Sequence, residues 1–522
     1  MGVQFISGTE AAEMITDGSM VSTGGFVGIG VPEEIHKKIE ERYKKTGHPN
    51  NLGLMYSAGQ GDGCDKGLNH LGHDGLVTKV IGGHWGLVPK LGKLANENKL
   101  IGYNIPQGVI SHLFRDIAAG KPGTLSHVGL GTFVDPDLEG GKINCATTEE
   151  IVHKIKINGE DILFYDGQKI DFAILRGTSA DDNGNISFEK ESLTLENLSL
   201  AMAAKNSGGK VIVQVERKTK ASSIDPKLVK IPGIFVDAVV VAEDMNNHMQ
   251  TFSEQFNENY ITNRIEDDFE IDFELNERKI IARRSAMLLN SDTKIINYGI
   301  GMPEGISIVL KEEKINHKFI PTVEPGAIGG TPAGGLSFGC SSFPEAIIDQ
   351  PYQFDFYDGG GLDMAFLGLA QCDVKGNINV SKFGSKIAGC GGFIDISQNA
   401  KEIVFCGTFT AGGLKTKLKN GKLLILKEGK VKKFVKNVEQ ITFSGELAVN
   451  ANKTVLYITE RAVFELTVNG LLLTEIAPGI DIKNHIFKNM DFIPEVSNNL
   501  KFMDIRIFKN SLMNLSEDYL TN

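Results

Sequence analysis

Short apolar runs alternate along this chain with segments of helical period. The runs Met20–Thr23 and Lys294–Tyr298 are each followed by a glycine-containing turn and then by a helix-like pattern, at Glu33–Lys44 and Glu304–Glu313. Strands that alternate with helices in this way are typical of mostly parallel sheets. The pattern therefore predicts an α/β protein in which two related open, mostly parallel sheet domains are fused in one chain.

Two internal echoes support this reading. The sequence of Gly28–Glu33 recurs almost unchanged as Gly299–Glu304, and Asp171–Ile186 is echoed at Asp363–Ile378. The second echo predicts a buried strand, an Asp/Gly/Asn turn and another strand in each half. The first half carries a longer segment between its two echoes, residues 45–165, which is rich in Gly, His and Pro. Because long insertions are often functional loops or lids, we expect that role for this segment.

A change in composition separates the two halves. Residues 244–278 are first rich in Asn and Gln and then acidic across Glu266–Glu274. A chain of 522 residues also exceeds one ordinary core, since single cores rarely grow beyond ~250–300 residues. We predict an N-terminal domain at residues 1–245, an acidic linker at 246–276 and a C-terminal domain at 277–522.

The charge and composition of the chain mainly exclude classes of partner and of site. The net charge is −11 and no strongly basic stretch occurs, so nucleic acid is not an expected partner. No apolar run reaches the ~18 residues of a membrane span, and the N-terminus lacks the basic start and apolar core of a signal peptide. The six cysteines are scattered without a C-x-x-C pair, and no histidine spacing indicates a metal site. We therefore expect a cytoplasmic protein with reduced thiols, no metal and no membrane partner.

Glu324 is the strongest catalytic candidate among the residues themselves. The apolar run Lys318–Val323 leads directly into this carboxylate, which is followed by Pro325 and a glycine-rich stretch. Pro325 disfavours the helical conformation of Glu324, and the glycines allow backbone angles that other residues avoid. A turn of this kind can present one carboxylate rigidly for nucleophilic catalysis through a covalent acyl intermediate. A glutamate that merely caps a loop is the alternative.

A set of short motifs extends over nearly the whole chain. In order they are Gly24–Gly28 with Pro32 and Glu33, His84-Trp85, Gln107-Gly108, Gly129–Pro136, the Glu324 loop, Tyr357–Asp363, Gly376–Ser381 and Gly389–Phe393. In this order they resemble the family I CoA-transferases, and most closely the propionate and acetate CoA-transferases whose two halves are fused. The resemblance implies the fold of that family.

The resemblance also implies roles for single residues. The catalytic carboxylate of the family falls on Glu324, which attacks the acyl-CoA carbonyl and later carries CoA as a γ-glutamyl thioester. The side-chain amide of Gln107 and a backbone N–H in the loop Gly389–Gly392, assigned to Gly391, form the oxyanion hole. Asn297 falls on a position near CoA in related enzymes.

The same resemblance defines the expected ligands. Gly389 and Gly392, together with Asn297, are assigned to the CoA site. CoA enters as substrate and covalent intermediate, so no further cofactor is expected. The expected partners are acyl-CoA and short-chain carboxylates, and the expected assembly is a homo-oligomer, either a dimer or a tetramer.

The expected reaction is ping-pong transfer of CoA between a short-chain acyl-CoA and a short-chain acid of the acetate, propionate or butyrate type. Three alternatives stay open at this point: an acyl-CoA hydrolase that uses the same Glu324, a non-catalytic acyl-CoA sensor of related fold, and a nucleotide oxidoreductase. The last would rest on the Gly-x-Gly pairs at 28–30 and 299–301, neither of which extends to G-x-G-x-x-G. His70, His73, His84 and Trp85 are candidates for the acyl pocket, with core packing as the alternative.

One position departs from the family pattern. The residue after the catalytic glutamate is usually Ser or Asn, whereas here it is Pro325. Proline has no backbone N–H and fixes its own φ angle, so any hydrogen bond made by that neighbour in relatives is absent here.

Overall fold

A computed structural model of the protein describes residues 3–263 and 273–521, which fall into two units. The first unit comprises residues 3–263, 323–355 and 383–395. The second comprises residues 273–322, 356–382 and 396–521. Residues 264–272 of the predicted acidic linker lie outside the described residues, and the domain boundaries at 245 and 276 stay a prediction.

An eight-stranded parallel sheet forms the centre of the first unit. In spatial order its strands are Gln4–Ile6, Ala238–Val241, Lys210–Val215, Phe172–Arg176, Met20–Thr23, Leu52–Tyr56, Val77–Gly82 and Ile101–Asn104. Strands such as Leu52–Tyr56 and Phe172–Arg176 are buried at every residue, as expected where helices cover both faces of a parallel sheet. The predicted mostly parallel architecture is confirmed for this half.

Several helices begin in the first unit. They are Gly8–Met14, Glu33–Thr46, Pro89–Asn96, Gln107–Ala118, Asn197–Asn206, Gln350–Asp358 and Phe393–Asn399. The helix Glu33–Thr46 begins after Pro32 and ends at Gly47, which takes the left-handed conformation at φ 73°. Ile35 and Ile39, one turn apart, are fully buried on its inner face.

Much of the segment at residues 45–165 is regular structure, so the expectation of loops or a lid was wrong for that part. It contributes the strands Leu52–Tyr56, Val77–Gly82 and Ile101–Asn104 to the main sheet. It also forms a three-stranded antiparallel sheet in the order Gly123–Ser126, Glu160–Asp166 and Val152–Ile157. The sequence pattern did not predict these strands, because short buried runs flanked by Gly and Pro show no clear period.

The second unit is built on a mostly parallel sheet. Its strands, in spatial order, are Ile320–Thr322, Ile295–Tyr298, Met364–Gly368, Glu402–Cys406, Thr454–Ile458, Ala462–Thr467, Gly470–Ile476 and Glu495–Phe502. The strands from Ile320–Thr322 to Thr454–Ile458 pair in parallel, whereas Ala462–Thr467 is antiparallel to both neighbours. The helices that begin in this unit are Glu277–Ala286, Glu304–Glu312, Gly445–Asn450 and Leu515–Thr521.

Short strands accompany these sheets. They are Ser179–Asp181, Ile186–Ser187, Arg217–Thr219, Val229–Ile231, Ala327–Ile328, Thr331–Pro332, Ser341–Ser342, Ala346–Ile347, Gln371–Cys372, Ile378–Asn379, Lys382–Phe383, Lys386–Ile387, Thr410–Ala411, Lys415–Lys419, Lys422–Lys427 and Val431–Lys432.

Both predicted echoes are structural repeats. Each Gly-x-Gly-x-Pro-Glu segment joins a strand to a helix, from Met20–Thr23 to Glu33–Thr46 and from Ile295–Tyr298 to Glu304–Glu312. The second echo forms the same turn twice.

In that turn the side-chain amide of Asn185 donates to Asp181 at 3.1 Å, and that of Asn377 donates to Asp373 at 3.0 Å. A strand follows each turn, at Ile186–Ser187 and Ile378–Asn379. An Asp at the turn start that accepts from residues further along is a usual way to fix such a loop.

All six cysteines are unpaired, and Cys64 and Cys145 are the two exposed ones. In the part of the chain that the structure describes, no helix combines the length and apolar character needed to cross a bilayer.

Candidate active site

Glu324 lies in a tight turn of the first unit. The N–H of Gly326 donates to the carbonyl of Val323 at 3.1 Å, which closes the turn over Glu324 and Pro325. Gly326 has φ 121°, and a Cβ there would lie 1.9 Å from the carbonyl oxygen of Ile348. Only glycine therefore fits behind the nucleophile candidate, as the sequence pattern predicted.

The carboxyl group of Glu324 is buried, with 8% of the residue exposed. Its Oε2 has no hydrogen-bond partner among residues 3–263 and 273–521. Burial raises the pKa of this carboxyl group to about 7. Perturbed pKa values of this origin cluster at functional sites, because burial makes a carboxylate a stronger base and nucleophile.

Gly392 lies directly against this carboxylate. A Cβ on Gly392 would lie 3.0 Å from Cγ of Glu324 and 3.2 Å from the ring of Phe354. A side chain at position 392 would therefore require Glu324 or Phe354 to shift by a few tenths of an ångström. This contact brings together two of the residues that the sequence assigned to the site.

The backbone N–H groups of the loop Gly389–Gly392 are not equivalent. The N–H of Cys390 donates to Oδ1 of Asn104 at 2.9 Å, and that of Gly391 donates to the carbonyl of Gly83 at 2.8 Å. The N–H of Gly392 makes no hydrogen bond to any residue that the structure describes, since a helix begins at Phe393 and the first N–H groups of a helix have no partner within it. The available donor beside Glu324 is thus Gly392, whereas the predicted donor, Gly391, is already engaged.

Gly389 is fixed by a different contact. It has φ 80°, and a Cβ there would lie 2.9 Å from Cα of His84 and 2.8 Å from the backbone nitrogen of Trp85. Glycine is needed here for close approach of two backbones. Its assignment to CoA binding stays a prediction.

Gln107 also contacts the loop Gly389–Gly392. It is the first residue of the helix Gln107–Ala118, is 3% exposed, and its N–H donates to the carbonyl of Gly391 at 3.0 Å. A Cβ on Gly391 would lie 3.7 Å from Oε1 of Gln107. Gln107 and Glu324 therefore contact adjacent residues, Gly391 and Gly392, of one loop.

His84 also borders this loop. Its Cδ2 lies 3.8 Å from the position of a Cβ on Gly391, and its buried Nδ1 has no partner among the described side chains and backbone. Burial lowers the pKa of His84 to about 4, so the ring is neutral at pH 7. A neutral ring adds no positive charge that would quench a nearby carboxylate nucleophile.

The other candidates for the acyl pocket have structural roles. Trp85 is fully buried in the apolar core of the first unit. His70 bonds to Glu33 at 3.0 Å and to Glu40 at 2.5 Å, and His73 bonds to Glu40 at 2.7 Å. These contacts are those of packing and ion pairing, and a place in the acyl pocket stays a prediction for the three residues.

Asn297 belongs to the second unit. It is fully buried at the end of the strand Ile295–Tyr298, and its amide donates to the carbonyl of Thr322 at 3.1 Å and to the hydroxyl of Tyr357 at 3.4 Å. Its proposed contact with CoA stays a prediction.

A polar network that the sequence did not predict reaches Gln107. Nε2 of Gln107 donates to Oε1 of Gln350 at 3.2 Å, and Gln350 in turn bonds to Ser57 and Ser111. Of these residues only Gln107 was a candidate from the sequence, and Ser57, Ser111 and Gln350 belong to none of the motifs.

Known proteins match this chain over nearly its whole length. Residues 6–242 match the family described as "Coenzyme A transferase". Caffeate CoA-transferase of Acetobacterium woodii is 46% identical over 511 residues, which cover 97% of each chain. Acetate CoA-transferase YdiF of Escherichia coli K12 is 42% identical over 512 residues, 98% of this chain and 96% of that protein.

The crystal structure of acyl-CoA transferase YdiF from E. coli O157:H7, an apoenzyme, matches with a TM-score of 0.92 at 41% identity, covering 98% of this chain and 97% of that chain. The chain therefore belongs to the family I CoA-transferases of the fused, single-chain type, and it is an acyl-CoA transferase. The resemblance drawn from the motifs is confirmed.

Proposed function

We propose that this enzyme moves CoA between a short-chain acyl-CoA and a short-chain carboxylic acid of the acetate, propionate or butyrate type, through a γ-glutamyl-CoA thioester on Glu324. The observation that carries the proposal is a buried carboxyl group, with its pKa raised to about 7, packed against a loop with an available N–H donor. A solved thioester complex of E. coli YdiF with CoA, 41% identical with a TM-score of 0.91, supports a covalent route.

The first half of the reaction forms an anhydride. A carboxylate oxygen of Glu324 attacks the thioester carbonyl of the donor, and the negative charge moves to the carbonyl oxygen. The N–H of Gly392 and the amide of Gln107 stabilise this oxyanion, each by about 10²–10³-fold in rate. Collapse of the adduct breaks the C–S bond, so CoA leaves as a thiolate and an acyl-glutamyl anhydride remains.

The second step forms the enzyme-CoA thioester. The CoA thiolate attacks the glutamyl carbonyl, a C–S bond forms, and the anhydride C–O bond breaks to release the donor acid as a carboxylate. The acceptor acid then runs the same steps in reverse. No net proton transfer is required, because a carboxylate is consumed and a carboxylate is released.

The raised pKa of Glu324 predicts the pH dependence. Only the ionised carboxylate attacks, so kcat/KM for acetyl-CoA is expected to rise with pH until the group is ionised, with a midpoint near pH 7. Initial rates between pH 5.5 and 8.5 measure this. A midpoint near 4.5, the ordinary value for a glutamic acid, would contradict the burial argument.

A single CoA carrier visited by two acids in turn predicts ping-pong kinetics. Double-reciprocal plots with both substrates varied should be parallel, whereas intersecting lines would show a ternary complex and direct transfer. Turnover of acyl-CoA without an acceptor acid would instead favour the hydrolase alternative, and no turnover at all would favour a sensor.

The substrate range is tested by a matrix of acyl-CoA donors against acid acceptors. Because one methylene changes binding by only ~1–3 kcal/mol, we expect acetate, propionate and butyrate all to serve. Aromatic acids are the second candidate, since a relative that is 46% identical is a caffeate CoA-transferase. Turnover with caffeate alone would replace the short-chain proposal. The cytoplasmic location and homo-oligomeric state stay proposals from the sequence.

A further inference from the structure

Five buried polar side chains of the first unit form one continuous hydrogen-bonded chain, Glu196–Ser57–Gln350–Gln107 with Ser111 as a branch. None of them is more than 3% exposed. The hydroxyl of Ser57 donates to Glu196 at 2.6 Å, and Nε2 of Gln350 donates to Ser57 at 3.0 Å and to Ser111 at 2.6 Å. Nε2 of Gln107 donates to Oε1 of Gln350 at 3.2 Å.

The acceptors at the ends of this network fix which group donates and which accepts in each hydrogen bond. Ser57 donates its proton to a carboxyl oxygen of Glu196, and Ser111 donates to the backbone carbonyl of Gln107 at 3.0 Å, which can only accept. With their protons committed, both serine oxygens can only accept from Gln350. The NH₂ group of Gln350 therefore faces the serines, and its carbonyl oxygen faces Gln107.

The orientation of Gln350 determines whether Gln107 presents its amide NH₂ or its amide oxygen to Gln350. Because Gln107 meets a carbonyl oxygen, its side-chain amide must offer NH₂ and not its own oxygen to Gln350. An amide NH₂ has two hydrogens, and Gln350 takes only one of them. No described residue accepts the second hydrogen, which the proposed function assigns to the developing oxyanion. In the flipped orientation the carbonyl of Gln107 would oppose the negative charge.

We propose that Gln350 is a positioning residue for CoA transfer, which holds the amide of Gln107 in its donor orientation, with Ser57, Ser111 and Glu196 fixing the orientation of Gln350. The proposal rests on the proposed function, since it assigns Gln107 to the oxyanion.

The energetic cost of the network supports a functional reason for it. Burying polar groups is unfavourable unless each finds a partner, and Oε2 of Glu196 has none within the described ranges. Burial also raises the pKa of Glu196 to about 7. An apolar core would avoid this cost, so a purely structural role does not explain why a carboxyl group lies at the end of this hydrogen-bonded network.

The test is a double-mutant cycle of Gln107→Ala and Gln350→Met, measured as kcat/KM for formation of the enzyme-CoA thioester. If Gln350 acts through Gln107, Gln350→Met should lower kcat/KM by about tenfold in the wild-type background and have no further effect once Gln107 is Ala. Equal losses in both backgrounds would show a general structural effect and overturn the proposal. No loss in the wild-type background would also overturn it.

Gln214→Met is the matched control. Gln214 is fully buried and accepts from the N–H of Glu34 at 3.1 Å, so its loss removes an equivalent buried amide outside the network. It should leave kcat/KM unchanged. If Gln350→Met does not fold, the Ser57→Ala/Ser111→Ala pair frees the amide of Gln350 to turn and should show the same non-additivity with Gln107→Ala.

Detection of the enzyme-CoA thioester distinguishes failure of the proposed function from failure of the role of Gln350. If no CoA adduct forms on Glu324 in the wild-type enzyme, the proposed function fails. If the adduct forms and the cycle is additive, only the role of Gln350 fails. If Gln107→Ala is silent, the oxyanion role of Gln107 fails together with that of Gln350, while covalent transfer through Glu324 stands.

Discussion

Glu324→Ala is expected to abolish CoA transfer while the protein stays folded. The proposed reaction forms two successive covalent bonds to this carboxylate, and removal of a covalent nucleophile usually costs at least about four orders of magnitude in kcat. Incubation of the wild-type enzyme with propionyl-CoA, followed by intact-mass measurement and peptide mapping, should place a CoA adduct on Glu324. The variant should carry none.

Stability provides an independent check on the same residue. The pKa of Glu324 is raised in the folded state, so its stabilising contribution is present below about pH 4.5 and is lost as the pH rises through about 7. At pH 8 the buried charge therefore opposes folding, and Glu324→Gln should melt no lower than the wild type while remaining inactive. A large drop in melting temperature would mean that Glu324 is a structural residue.

Glu345→Ala is the matched control for this experiment. Glu345 follows Glu324 in the same unit but is exposed, and its side chain lies within 2.7 Å of where a Cβ of Gly329 would be. We expect normal turnover and an unchanged adduct. An adduct that maps elsewhere in the chain, or turnover without any adduct, would contradict the assignment of Glu324.

The local elements of the fold could be predicted from the sequence, but not the order in which they assemble. The Asp181–Asn185 and Asp373–Asn377 turns were readable because every residue that determines them lies within five positions. The strand content of residues 45–165 was not, because a short strand buried on both faces lacks an alternating pattern. Which strands become neighbours depends on crossovers that no local pattern contains.

The candidate site was likewise only partly predictable from the sequence. Glu324 could be predicted from the sequence because the strand, the carboxylate and the glycines are contiguous. The preference for Gly392 over Gly391 as the proposed donor could not be predicted, because it depends on a hydrogen bond from Gly391 to Gly83, which is far away in sequence. Gln350 and Glu196 belong to no motif, and only the fold brings them to Gln107.

Gln107→Ala is expected to lower kcat/KM by about 10²–10³-fold, mainly through kcat. The amide contributes where negative charge develops in the transition state, so its loss should leave KM nearly unchanged. Steady-state rates with acetyl-CoA and propionate measure both constants. Gln214→Ala removes another buried amide and controls for loss of packing.

Gln107→Glu should be worse than Gln107→Ala. A carboxylate at position 107 would oppose the oxyanion, and it would also face the carbonyl oxygen of Gln350, which can only accept a hydrogen bond. Both contacts become repulsive, whereas in the alanine variant they are only lost. If both variants keep near-normal kcat, Gln107 does not face the oxyanion, and the N–H of Gly392 remains as the donor that the geometry supports.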